Sequence, residues 1–421
     1  MKKRLIPIVL LLCICLSSCS MLIPTPPFTS AVSPAKTGTN AVSVPATEEP
    51  QTAAVTPTDP EPETTEPLPE PVRVSFLAAG DNVIHPNIYT EAKRRATEDS
   101  REYNFLPIYD DVADLIKNAD LAFINQETLM GGEELGYSGY PCFNSPQDLG
   151  YDLRDLGFDI VNIANNHMCD KREKGLANTI AFWKAMEGVT MLGGNESRED
   201  FDTLRITECK GVKIVWLSYT YGTNGISLPS SSELFIPYID RDLIKEQLDK
   251  AQDLGDLVFV SIHWGEENHF DTSSEQKELA QFMADNGADA IIGHHPHVVQ
   301  PIEWLDGAHG KVLCVYSLGN LISGMANGYN MLGGFMTFDI VKDSLDRPRI
   351  ENPLFIPTAF YYADSWYQTK LYLLENYDQE ISLTHGSRKH GKLTDREGME
   401  KLLTKTVDRE FLPDWLFEEG N

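Results

Sequence analysis

Seven polar side chains in this sequence follow short apolar segments, and their chemical types could together bind metal ions and transfer a proton. The set contains two carboxylates, one amide and four imidazoles: Asp81, Glu127, Asn166, His167, His263, His295 and His297. Imidazole and carboxylate ligands suit Mn, Fe, Zn or Co, whereas this many histidines disfavours an all-oxygen Ca or Mg site. Two divalent metal ions about 3.5–4 Å apart can activate a water and hold a phosphoryl group. Seven side chains are enough to ligate two such ions and to supply one acid.

The apolar segments before these residues are predicted to be buried strands, separated by segments with helical periodicity. The predicted strands are Val72–Ala79, Leu121–Ile124, Asp159–Ala164, Lys213–Ser218, Leu257–Ile262, Ala290–Ile292 and Lys311–Tyr316. Helical spacing occurs in residues 110–117, 174–186, 240–254 and 274–286. Strands that alternate with helices predict an α/β fold with largely parallel sheets covered on both faces. Because ligands bind at the carboxyl ends of such strands, the seven side chains should meet at one edge.

Simpler interpretations exist for individual residues. Asp81 follows Gly80 and could simply cap a helix or turn. His263 precedes Trp264 and could be a core histidine. Three further residues are candidate additions to the site: His85, Glu266 and Asn320. We interpret His294 as a residue that supports a ligand or packs, rather than as a ligand itself. Four other histidines are interpreted as surface residues: His269, His309, His385 and His390.

Four cysteines lie beyond the N-terminal region: Cys142, Cys169, Cys209 and Cys314. They could form two disulfides in any of three pairings. Cys314 lies within an apolar strand and is better explained as a small buried residue.

The ordered motifs resemble those of a known protein family. They are Gly80-Asp81, Asn125-x-Glu127, Ala164-Asn-Asn-His167, His263-Trp-Gly265, Gly293-x-His295-Pro-His297-Val-Val-Gln300 and Ser317-Leu-Gly-Asn320. From about Val72 to Asn320 this series is similar to the CapA (PgsA) family, bacterial proteins of capsule or poly-γ-glutamate synthesis. That family in turn resembles the calcineurin-like metallophosphoesterases. The resemblance implies a four-layer α/β/β/α sandwich with a two-metal site. A helix start at Thr394-Asp-Arg-Glu397 predicts a C-terminal helical extension beyond it.

The resemblance also implies a role for each residue of the set. Asp81 and His297 would bind one metal, His263 and His295 the other, and Glu127 would bridge the two. Asn166 would be a catalytic residue and metal ligand, and His167 would be the acid that protonates the leaving group. Two departures from the phosphoesterase pattern stand out: the first-strand histidine is displaced to His85 or absent, and the bridging aspartate is a glutamate.

Two functions from different classes fit this pattern. The first is a binuclear metallohydrolase that cleaves a phosphoester or a related polymer linkage. The second is a non-catalytic accessory subunit of a polymer assembly or export complex, with a structural or vestigial metal site. The expected partners are an anionic polymer or phosphoester substrate and membrane subunits of a polymer synthase. A nucleic-acid partner is not expected, because 35 basic against 63 acidic residues give a formal charge of −28.

The first 71 residues are predicted to form a signal peptide followed by a tether. Residues 1–19 have the basic start and short apolar run of a signal peptide, and Leu16-Ser-Ser-Cys19 resembles a bacterial lipobox. An ordinary signal peptide with a chance cysteine is the alternative. Residues 20–71 are rich in Pro, Thr and Glu and are expected to be disordered. Residues 72–345 would form the CapA-type domain and residues 346–421 a C-terminal extension packed on it, outside the cytoplasm of a bacterium.

Replacing Cys19 with alanine tests the anchor, because the two acyl chains expected on Cys19 would hold the protein stably on a membrane, whereas a single chain would not. The Cys19→Ala protein should lose palmitate labelling and appear in the medium or remain unprocessed. Unchanged labelling would contradict the assignment of Cys19 as the lipidated residue.

Overall fold

The computed structural model describes residues 70–343, 347–390 and 395–418. The predicted leader and all but the last two residues of the predicted tether lie outside these ranges. The strands of the described residues are β1 Val72–Val83, β2 Leu121–Gln126, β3 Ile160–Asn162, β4 Thr190–Leu192, β5 Arg205–Cys209, β6 Val212–Thr220, β7 Leu257–His263, β8 Ala290–His294, β9 Ile302–Gly307, β10 Gly310–Val315, β11 Asn320–Ser323, β12 Leu332–Lys342, β13 Arg349–Tyr361 and β14 Lys370–Leu373. The α-helices are α1 Pro86–Arg94, α2 Ala113–Lys117, α3 Asp148–Leu156, α4 Arg172–Lys184, α5 Arg198–Asp202, α6 Arg241–Ala251, α7 Ser274–Asp285, α8 Gln379–Leu383 and α9 Arg396–Thr406.

These strands form two mixed sheets, each of which contains a run of parallel strands. The first sheet has the order β14-β13-β12-β1-β2-β3-β4, with β11 pairing beside the end of β1, and the second has the order β5-β6-β7-β8-β10-β9. Strands β1 to β4 run parallel, as do β6, β7, β8 and β10. In the first sheet the antiparallel strands β12 to β14 form one side, whereas in the second sheet the antiparallel strands β5 and β9 are the two edges. The predicted α/β class is confirmed.

The side chains of β6 alternate between the two faces of the second sheet. Ile214 and Trp216 belong to the apolar core between the sheets, whereas Val215 and Leu217 pack with residues of α6 and α7. Trp216 stacks on Phe123 of the first sheet with ring centroids 5.6 Å apart. Helices α1, α3 and α4 cover the other face of the first sheet through buried apolar residues. The molecule therefore has the predicted four layers, helix, sheet, sheet and helix.

The C-terminal part of the chain enters the first sheet before it becomes helical. Strand β13 pairs with β12 in antiparallel register, and β14 pairs with β13. The boundary predicted at residue 345 thus falls between two paired strands. Helix α9 then packs against the same core through Met399 and Leu403. Among the described residues, no helix combines the length and the apolar character needed to cross a membrane.

Two expectations about buried groups have clear outcomes. The four cysteines of the described residues are free thiols, so neither disulfide forms, and Cys314 is buried as predicted. The prediction that His385 is a surface residue is wrong. Its Nε2 lies 3.0 Å from the carbonyl oxygen of Phe360 and its Nδ1 accepts the Ser387 backbone N–H, so both ring nitrogens have partners inside the core. His269, His309 and His390 are exposed.

The end of β1 carries three strand contacts at once, and this fixes where Asp81 lies. Strand β1 pairs with β2, β12 and β11, and Asp81 is opposite Asn320 in the pairing with β11. A Cβ atom on Gly80 would lie 2.2 Å from the carbonyl oxygen of Gly319, so only glycine fits there. The register with β2 shifts between Ala79 and Asp81, which turns the carboxylate toward the second sheet's histidines.

Candidate metal centre

The predicted site residues converge at the edge where the parallel strands of both sheets end. Glu127 follows β2, and His295 and His297 follow β8, as expected. Asp81 lies inside β1 rather than beyond it, and His263 is the last residue of β7. Each of these side chains is almost completely buried. The site therefore belongs to the inner layers of the sandwich and not to surface loops.

Asp81 is the ionised acid of the site. Its Oδ1 accepts a hydrogen bond of 2.8 Å from Asn125, and its Oδ2 lies 3.2 Å from Nδ1 of His297. Burial would raise its pKa, but the contacts with His294 and His297 hold the pKa of Asp81 well below its ordinary value. The carboxylate therefore carries a negative charge into the core.

Glu127 occupies the centre of the cluster without any donor of its own. Neither carboxylate oxygen has a hydrogen-bond partner among the described residues, although both are buried. Oε1 lies 3.5 Å from Nε2 of His297 and 3.7 Å from Nε2 of His263. Burial, with the nearby charge of Asp81, raises the pKa of Glu127 well above its ordinary value despite the attraction of His297. A buried carboxylate without donors is costly unless a cation joins it.

Among the described residues, three groups of side chains could hold a metal ion, and two of these groups share Glu127. Asp81, Glu127 and His297 form one group and Glu127, His263 and His295 the other, each with its ligand atoms within 4.8 Å of one another. Burial lowers the pKa of His263 well below its ordinary value and lowers the pKa of His295 to about 3. Both imidazoles are therefore neutral, as metal ligands must be. The buried Nδ1 atoms of these two histidines also lack partners among the described residues. This donor set fits divalent cations with mixed imidazole and carboxylate coordination.

Asn166 reaches the group formed by Glu127, His263 and His295. Its Oδ1 lies 3.0 Å from Nε2 of His263, and its Nδ2 donates to Oδ1 of Asn224 over 3.3 Å. The bond to Asn224 engages the amide nitrogen, which leaves the amide oxygen directed at the histidine. Asn224 lies on the loop after β6 with a φ of 51°, a conformation that asparagine tolerates better than most residues. No motif around Asn224 in the sequence indicates this role.

His297 connects Asp81, Glu127 and Asn320. Its Nδ1 is 3.0 Å from Oδ1 of Asn320, which places that candidate residue beside the ligands as a support for the histidine. Burial opposes the charged form, but Glu127 and Asp81 raise the pKa of His297 to about 10.

His167 is held by an aspartate that the sequence analysis missed. Its Nδ1 lies 2.7 Å from Oδ2 of Asp170, three residues later in the chain, and Asp170 also accepts the backbone N–H of Phe143. The ring of Phe143 packs edge-on against His167 with centroids 4.8 Å apart. Asp170 follows His167 by three residues, close enough in the chain for the two side chains to meet. This spacing is the sequence signal that could have identified it. A carboxylate at Nδ1 directs the other ring nitrogen, Nε2, toward a reactant.

The structure separates the remaining candidates. His85 accepts the backbone N–H of Gly324 at Nδ1 over 3.0 Å and lies outside the candidate ligand groups. Glu266 is exposed and its nearest ionic partner is His269, 3.5 Å away. The next residue, Glu267, instead lies within ligand distance of His295 and His297. His294 stacks on Phe123, and its Nδ1 lies 3.3 Å from Oδ1 of Asp81, so it both packs and lies behind a proposed ligand.

Metal binding to the cation-free protein should release protons. The pKa of His297 is raised from 6.5 to about 10, so His297 is protonated at pH 8 and must lose that proton to become a ligand. Titration of the EDTA-treated protein with Mn²⁺ should release about one proton per protein molecule, which is the proton that His297 loses when it becomes a ligand. Calorimetry in two buffers of different ionisation enthalpy measures the release.

The His297→Gln protein should show a smaller release, because the titrating group is gone. His309→Gln is the matched control, since His309 is exposed and lies outside the site. Equal proton release by the wild type and the His297→Gln protein would contradict the proposed role of His297.

Residues 75–325 match the model of the family described as bacterial capsule synthesis protein PGA_cap. The capsule biosynthesis protein CapA of Bacillus anthracis is 33% identical over 40% of this chain and 41% of its own length. The PGA biosynthesis protein CapA of Bacillus subtilis is 34% identical over 40% of this chain and 44% of its own. The match therefore spans about two fifths of each relative. The NAD nucleotidase of Haemophilus influenzae is 14% identical over 82% of this chain and 65% of its own, with a TM-score of 0.43.

The family match covers more than half of the chain and coincides with the segment that carries the site, from β1 to the loop after β11. It agrees with the resemblance to CapA (PgsA) proteins inferred from the ordered motifs. The chain belongs to the bacterial capsule synthesis protein family PGA_cap.

Proposed function

We propose that this protein is a metal-dependent hydrolase of phosphoester or related linkages that acts in capsule or poly-γ-glutamate synthesis. The observation that carries this proposal is the position of Glu127. Its buried carboxylate has no donor among the described residues and belongs to two ligand groups at once. A pair of divalent cations would satisfy both carboxylate oxygens and offset the cost of burying them.

Six residues would hold the cations, which we expect to be Mn, Fe or Zn. Asp81 and His297 lie on one side of the shared Glu127, and His263, His295 and Asn166 lie on the other. When bound, such cations supply an activated water and stabilise negative charge on a phosphoryl group. The protein supplies neutral imidazoles and buried carboxylates in a region that excludes solvent.

His167 would protonate the leaving group through Nε2. Asp170 lies 2.7 Å from Nδ1 and fixes the orientation of the ring. Phe143 packs against the ring and restricts its motion. Asn224 lies 3.4 Å from Nδ1 of His167 and also binds Asn166, so one loop residue contacts both proposed catalytic residues.

The cellular setting of the proposal comes from the relatives and the N-terminal sequence. Two relatives are named as capsule and PGA biosynthesis proteins, which supports a role at the cell envelope. Diacylation of Cys19 would anchor the protein outside the cytoplasm, with residues 20–71 as the tether. Membrane subunits of a polymer synthase are the partners that this position would allow.

One observation favours the second candidate, a non-catalytic accessory subunit. The Nδ1 atom of His85, the nearest replacement for the first-strand histidine of phosphoesterases, already accepts the Gly324 N–H. The site could then bind cations for structure alone. This candidate predicts bound metal without turnover.

Hydrolysis of a chromogenic phosphodiester by the Mn²⁺-loaded full chain tests the proposal. Replacing His167 with glutamine should lower kcat by about 10²- to 10⁴-fold, because the proton donor is lost. Asp170→Asn should also lower kcat, because His167 would lose the carboxylate that holds Nδ1 and orients the ring. Asp81→Asn should lower the metal content itself.

His269→Gln is the control, since His269 is exposed and pairs only with Glu266 among ionic partners that the structure describes. Full metal content in the wild type with no turnover of any phosphoester would contradict the hydrolase and favour the accessory subunit. Turnover that is equal in wild type and His167→Gln would contradict the assignment of the acid.

A further inference from the structure

The loop after β6 brings an unassigned tyrosine to the site. Tyr221 follows the carboxyl end of β6, which runs parallel to β7, and its backbone N–H donates to the carbonyl oxygen of His263 over 3.0 Å. Its ring lies 4.5 Å from the ring of His295 and is almost parallel to that of His263 at 6.2 Å. The residue is 46% exposed, so one part of the ring faces the metal ligands and another faces solvent.

A second exposed tyrosine lies beyond the proposed acid. Tyr140 is 79% exposed, and its ring is 6.5 Å from that of Phe143, which itself packs on His167. Tyr221 therefore contacts the metal-ligand histidines directly, whereas Tyr140 lies near the proposed acid, His167, through Phe143.

An acidic side chain lies at the opening of the same site. Glu267 is exposed, and its carboxylate lies within 4.8 Å of the ring nitrogens of His295 and His297. A phosphomonoester carries close to two negative charges at neutral pH, since its second pKa is about 6, whereas a diester carries one. Glu267 therefore repels a monoester more strongly than a diester.

We propose that the site acts on an internal phosphodiester linkage, with Tyr221 contacting the substituent that stays on phosphorus and Tyr140 the one that leaves. This inference rests on the proposed hydrolase function and names its substrate class. Water adds across the linkage: a P–O bond to the water oxygen forms while the P–O bond to the leaving group breaks. The leaving oxygen takes the proton from Nε2 of His167, and a proton of the water replaces it.

Kinetics with two chromogenic esters test the inference: bis(4-nitrophenyl) phosphate as diester and 4-nitrophenyl phosphate as monoester. The Mn²⁺-loaded wild type should have the higher kcat/KM for the diester. Tyr221→Ala should raise KM for the diester by about three- to tenfold, the value of one aromatic contact, and lower the diester-to-monoester ratio by a similar factor. Tyr221→Phe, which keeps the ring, should restore most of the loss.

Tyr140→Ala should lower the same ratio, and Glu267→Gln should lower it by improving turnover of the monoester. Tyr151→Ala is the matched control, because Tyr151 is a 36% exposed tyrosine on α3 outside the site. Metal content and thermal unfolding of each variant establish that it is folded and loaded.

The possible failures can be told apart by adding a binding measurement. Calorimetry with a non-hydrolysable phosphonate diester compares the wild type with Tyr221→Ala. If neither ester is turned over but the diester analogue binds more weakly to Tyr221→Ala than to the wild type, the hydrolase proposal fails. The assignment of Tyr221 to diester binding then stands. A higher kcat/KM for the monoester, or identical ratios in wild type and Tyr221→Ala, overturns the inference alone. Neither turnover nor binding overturns both.

Discussion

Burial of the Glu127 carboxylate is the constraint around which the site is built. A carboxylate enclosed by two sheets and given no donor cannot remain charged unless positive charge is supplied from elsewhere. His297 supplies part of it in the absence of a cation. Two groups of neutral and acidic ligands meet at this carboxylate, which is the arrangement that divalent cations require. The hydrolase proposal and the predicted proton release on metal binding depend on this one group. The proposed substrate class depends on it through the hydrolase proposal.

The fold makes this burial possible because ligands arrive from both sheets. Asp81 and Glu127 come from parallel strands of the first sheet, and His263 and His295 from parallel strands of the second. The close approach of Gly80 to Gly319 lets β1 carry Asp81 inward. Positive φ angles of 101° at His295 and 56° at His297 turn the chain after β8 so that both rings enter the cluster. Such strained backbone persists where the surrounding contacts require it.

The sequence made the framework predictable because its strongest signals are local. Apolar segments closed by polar residues identified β7 and β8 and the residues at their ends, and β3 was placed correctly ahead of Asn166 and His167. The entry of β13 into the first sheet was not predictable in the same way, although β13 directly follows β12 and pairs with it. Its sequence lacks a continuous apolar segment, since it contains Glu351, Asn352 and two prolines. His385 was assigned to the surface because a polar residue in a polar segment gives no sign of the partners that bury it.

The supporting residues of the site were harder to find than the ligands. Asp170 was within reach of sequence reasoning, since it follows His167 by three residues, but Asn224 and Tyr221 were not. Both lie on a loop after a strand whose end carries no carboxylate or histidine, so only the folded structure reveals that they touch Asn166 and His295. Glu267 and Glu266 are neighbours with the same charge, and their sequence gives no basis for choosing the one that faces the site.

Anomalous X-ray diffraction at the manganese edge, from crystals of the full chain grown with Mn²⁺, tests the central claim most directly. The account predicts two anomalous peaks, each within bonding distance of a carboxylate oxygen of Glu127, with Asp81 and His297 on one ion and His263 and His295 on the other. A single peak that Glu127 does not ligate, or fully ordered ligands with no peak, would contradict it.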